Sequence, residues 1–86
     1  MTNLNETLAE RGEQYGDFKQ MALLATLLKN ALRNEKMNAV QREATDLICT
    51  KLARIAVGNP HNRDSWQDIA GYASLVVAQM DREDGL

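Results

Sequence analysis

Apolar residues recur along this chain at helical spacing. From Phe18 to Asn34, Met21, Leu24, Leu28 and the Ala31/Leu32 pair fall three or four residues apart, and Leu23 and Leu27 widen the stripe. A second periodic segment runs from Ala39 to Val57, with Ala44, Leu47, Ile48, Leu52 and Ile55 on its core side. A third, from Ser65 to about Arg82, places Trp66, Ile69, Ala70, Ala73, Val76, Val77 and Met80 on one broad face. The segment from Leu4 to Gln14 reads as a short helix, weakened by Gly12. Four times an Asn or Asp precedes a Glu or Gln by three residues: Asn3 and Glu6, Asp17 and Gln20, Asn38 and Gln41, Asp64 and Gln67. That is the spacing of the capping box, in which each side chain bonds the other residue's backbone amide. Gly58 suits the position just past a helix end, with Pro60 beyond it. No window alternates with period two. The pattern predicts one all-α domain over residues 1–86, a three- to four-helix bundle with a short helix at 3–15 and main helices at 18–34, 39–57 and 65–82.

Composition narrows the reading. With 44 % apolar and 26 % charged residues the chain has the profile of a folded protein. A net charge of -2 argues against extended nucleic-acid binding, which needs a basic surface. A single cysteine, Cys49, and a single histidine, His61, allow no intrachain disulfide and no Cys/His zinc set. The first residues lack the basic and apolar regions of a signal peptide, and the apolar run Met21 to Leu28 is too short to span a bilayer. A cytoplasmic setting without membrane contact is expected. A domain of 86 residues buries roughly 60–65 % of its unfolded surface, which is marginal, so a homo-oligomer, dimer or higher, is expected too.

The candidate chemistry lies on two helices. Gly71 sits inside the last helical pattern, where it costs about 1 kcal/mol relative to alanine, so something is expected to approach closely there. Asp64, Asp68 and Tyr72 stand one turn apart beside it. Asp64 reads as an N-cap. Asp68 either pairs with Lys51 or Arg54 or accepts from a base or ribose. Tyr72 is a core residue or a stacking platform, and Trp66 reads as a core anchor. Lys51 and Arg54, three apart on a largely apolar helix, either snorkel and pair with carboxylates or clamp a phosphate. Arg63 offers a weak anion contact at the last helix start. His61 has no nucleophile at a catalytic spacing and reads as an exposed loop residue. Arg11 and the run Tyr15-Gly16-Asp17-Phe18 form a further cluster around a turn.

The stretches Arg11-x-x-x-Tyr15-Gly16-Asp17-Phe18, Gln41-Arg42-Glu43-Ala44, Lys51-x-Ala53-Arg54-Ile55, Gly58-Asn59-Pro60 and Asp64-Ser65-Trp66-x-Asp68-Ile69-Ala70-Gly71-Tyr72-Ala73-x-Leu75 resemble a family of small phage and prophage proteins of unassigned function. The resemblance runs from Leu8 to about Val77. That family is similar, more distantly, to all-α nucleotide pyrophosphohydrolases of the MazG type, which hold magnesium with carboxylates three apart on two helices. At the matching positions this chain has Lys51 and Arg54, then Asp68 and Gly71. The resemblance therefore implies a nucleotide-type pocket without a metal, a cofactor or a catalytic residue. Its ligand would be held by Lys51, Arg54, Asp68, Tyr72, Tyr15 and Arg11 in the cytoplasm of a bacterial host. It would sequester a host immune nucleotide or serve phage nucleotide metabolism. Two alternatives stay open. One is a divergent pyrophosphohydrolase using Glu43, Asp46, Asp64 and Asp68; the other is a protein that blocks a host defence complex.

Overall fold

Each helix starts where an Asn or Asp side chain takes up a backbone amide. The computed structural model describes residues 16–84, and every secondary-structure element in that span is helical. Helix α1 is Phe18–Ala31, and Asp17 Oδ1 accepts from the Gln20 amide at 3.0 Å. Helix α2 is Ala39–Val57. Its capping box is complete: Asn38 Oδ1 accepts from the Gln41 amide at 2.9 Å, and Gln41 Oε1 accepts from the Asn38 amide at 3.1 Å. Helix α3 is Arg63–Asp84. The expected short helix at 3–15 lies outside the described residues.

Three boundaries differ from the sequence expectation, the simplest being that α3 runs on to Asp84 rather than 82. Helix α1 stops at Ala31 rather than 34, because Asn34 turns its side chain to accept the Lys36 amide at 2.9 Å and so favours a turn. Helix α3 begins two residues early. The side chain of Asn62, not Asp64, takes up an amide at this helix start, accepting from Asp64 N at 3.1 Å. Gln67, expected to reach back to Asp64, instead accepts from Arg63 Nη1 at 2.7 Å. Gly58 closes α2 by donating to Arg54 O at 2.8 Å, with φ of -103°, so it uses none of its left-handed freedom. That freedom is used at Gly16, with φ of 77°. A methyl group there would lie 2.5 Å from the Val57 carbonyl oxygen.

Helix α2 is the centre of the fold. It packs against α1 on one side and α3 on the other, and no Cα of α1 comes within 8 Å of α3. Ala53 meets Met21 and Ala25 of α1, with Leu24 alongside, while Lys51 reaches Asp68 of α3. Two residues apart on a helix, Lys51 and Ala53 point about 200° away from each other. Both neighbours run antiparallel to α2: Gly16 meets Val57 at one seam, and Lys51 meets Asp68 at the other. The buried apolar residues are small or flexible: Met21, Ala25, Ala44, Cys49 and Ala53. Among the described residues no helix is long and apolar enough to cross a membrane.

Of the expected face of α3, only Ile69 and Val76 turn inward. Ser65 is buried, and Ile69, Tyr72, Val76 and Gln79 follow it at partial burial. Trp66, Ala70, Ala73, Val77 and Met80, one residue further round, are exposed. Trp66 is 50 % exposed and is no core anchor; its Nε1 donates to the Pro60 carbonyl at 2.8 Å and straps the α2–α3 connection. Cys49 is fully buried, and that burial, reinforced by Asp46 and opposed by Lys29, pushes its thiol above the ordinary value. The fold thus favours the neutral thiol. This contribution to stability is complete at lower pH and is lost as the pH climbs past the unfolded thiol's value of about 8.5.

Two outcomes are expected. Gly16→Ala lowers stability by about 2 kcal/mol or more in urea denaturation, from the left-handed strain and the Val57 clash together. Maleimide modifies Cys49 in the native protein on the order of 100-fold more slowly than in urea-unfolded chain; equal rates would mean that the α1–α2 seam opens freely.

Candidate functional site

The α2–α3 seam brings together the residues that the two-helix motif singled out. Lys51 Nζ lies 2.9 Å from Asp68 Oδ2. The lysine side chain is 16 % exposed and the aspartate 44 %, so the pair bridges the helices with its acidic end in water. Of the two readings open for Asp68, pairing with Lys51 is the one that this geometry realises. Arg54 lies one turn further along α2 and is partly buried. Tyr72 lies one turn along α3 from Asp68 and is also partly buried. Tyr15 and Arg11 lie outside the described residues.

Tyr72 faces a groove rather than a closed core. Val40, Glu43 and Leu47 form one bank, Tyr72, Leu75 and Val76 the other, around a volume of about 370 Å³. The groove is almost wholly apolar, with Glu43 as its charged rim. Leu47 is one turn before Lys51 and Tyr72 one turn after Asp68, so the ion pair lies one helical turn beyond these lining residues. Its volume lies within the 300–1,000 Å³ or so of small-ligand sites. An aromatic group can lie against Tyr72, and an anionic group extending one turn past the groove would meet Lys51. Val40, Glu43 and Leu75 were not among the expected site residues. Leu75 gave a usable signal: it sits off the main apolar stripe of its helix, where an isolated leucine has nothing of its own helix to cover.

The other candidates do not join this site. Asp64 is exposed at the first turn of α3. Exposed His61 stays in the connection, with its backbone amide donating to Asn59 Oδ1 at 2.9 Å. Arg63 is held by Gln67. Glu43, Asp46, Asp64 and Asp68 do not converge, and among the described residues no three His, Cys, Asp or Glu side chains are grouped as metal ligands.

The Lys51–Asp68 pair is half in water, so its coupling is expected at about 0.5–1 kcal/mol. A double-mutant cycle with Lys51→Met and Asp68→Asn, read by urea denaturation, measures it. A coupling of several kcal/mol would instead make the pair the main fastening of α3.

No curated protein and no solved structure matches the chain. One family model does, over residues 2–80, a span that takes in α1, α2, most of α3 and both halves of the Lys51–Asp68 seam. The chain therefore belongs to the family described as "Domain of unknown function (DUF6378)".

Proposed function

We propose that this protein binds a nucleotide or a related phosphorylated small molecule and does not turn it over. The observation that carries the reading is the apolar groove beside Tyr72, with the Lys51–Asp68 pair one helical turn beyond its lining. Groove and neighbouring charges together are amphiphilic: a nucleobase lies on the Tyr72 side, its phosphates extend past the groove to Lys51 and Arg54, and Asp68 accepts from a sugar hydroxyl or base amine. Binding a phosphate there requires Lys51 to turn from Asp68, and the partial exposure of that pair keeps the exchange inexpensive. A MazG-type relative would be all-helical, as the described residues are, and the absence of a carboxylate cluster among them favours holding over hydrolysis. In a phage, such a module would sequester a host nucleotide signal or serve nucleotide metabolism in the host cytoplasm.

A second reading, obstruction of a host protein complex, draws on one observation. Trp66, Val77 and Met80 form an exposed apolar stripe on α3. A protein partner would cover that stripe and ignore the groove.

Isothermal calorimetry against a panel of linear and cyclic nucleotides tests the first reading. Binding is expected for at least one member, weakened at least tenfold by Lys51→Ala and by Tyr72→Ala, with circular dichroism unchanged. Absence of binding across the panel, or binding indifferent to Lys51→Ala, overturns it.

A further inference from the structure

We propose that a second copy of this chain docks antiparallel along α3, with Leu75 of each copy seated on Gly71 of the other. The inference concerns the outer flank of α3, which shares Leu75 and Asp68 with the candidate site, and stands whether or not a ligand binds. Gly71 lies in mid-helix, where glycine costs about 1 kcal/mol relative to alanine. Among the described residues no close approach repays that cost, because a Cβ added at Gly71 would meet no heavy atom of theirs within 4 Å. Leu75, one turn on and on the same face, is 66 % exposed. One position is an unfilled hollow and the other an uncovered knob.

The two are placed to fill each other. Gly71 and Leu75 lie symmetrically about residue 73, and so do Asp64 and Arg82 at the two ends of the helix. All four fall on one flank of α3, within about 40° of one another at 100° per residue. A two-fold axis crossing the helix at that level sets Leu75 against Gly71 twice and Asp64 against Arg82 twice. The remaining residues of the flank are Ala78, which is small, and Asp68, whose carboxylate Lys51 already neutralises. Such a patch is self-complementary, as an isologous interface requires. The glycine lets the two helix backbones approach closely at the crossing. Charge complementarity selects the antiparallel direction, since a parallel pairing would set Asp64 on Asp64 and Arg82 on Arg82. The pairing also covers Leu75, the outer bank of the apolar groove, so a second copy raises a wall beside it.

Sedimentation velocity at about 10 µM tests this with four variants and the wild type, helicity being checked by circular dichroism. The wild type is expected to sediment as a dimer, or as a larger assembly that contains this contact. Leu75→Glu is expected to raise the dissociation constant at least 100-fold. Asp64→Arg and Arg82→Asp are each expected to raise it about tenfold, and the Asp64→Arg/Arg82→Asp double variant to restore it. The restoration separates pairing from loss of helix, because the double variant keeps both unfavourable charges at its own helix ends. A monomeric wild type, an assembly indifferent to Leu75→Glu, or a double variant no better than its parents overturns the proposal.

Discussion

Everything in this fold hangs on α2 having two neighbours that never meet. A helix flanked on opposite sides can be gripped only along two narrow stripes, and each stripe has to hold its neighbour without help from the third helix. On the α1 side the grip is close approach: Ala25 and Ala53 bring the two backbones together over Met21. On the α3 side it combines Ala44 with the Lys51–Asp68 pair. Alanine contacts bury little area each, so much of the apolar surface of α1 and α3 stays outside the seams. The exposed leucines and valines follow from two narrow seams among the described helices.

That constraint explains how much could be read from the residues alone. The helices themselves were legible, because amphipathic spacing and Asn or Asp caps are local signals. Asp17 and Asn38 do what their spacing implies. Asn62 displaced Asp64 at the start of α3 because both residues, two positions apart, can cap, and the choice depends on the connection from Gly58. The inward face of α3 was not legible for a different reason. Its apolar residues cover two stripes, and hydrophobicity alone points to the richer one, through Trp66, Ala73 and Val77. The packing chose the poorer one, led by Ser65, because a small residue lets α3 lie close to α2. The meeting of Lys51 with Asp68 was legible as one of two options, since opposite charges on adjacent core-facing helices have few other places to go.

The site and the outer face of α3 are linked by this geometry. Asp68 stands between them, bonded inward to Lys51 and 44 % exposed outward. Whatever settles on the outer flank of α3 therefore alters the water around that carboxylate. With less water, the hold of Asp68 on Lys51 strengthens. If both proposals hold, assembly and ligand affinity would be coupled through that one carboxylate.

Trp66 has a consequence for anyone who watches this protein unfold. It is the sole indole in the chain, and it is tied to Pro60 at the far end of the α2–α3 seam. Its emission follows that connection and is blind to the seam where Met21, Ala25 and Ala53 meet. If α1 peels away first, the fluorescence will still look native while helicity has already begun to fall.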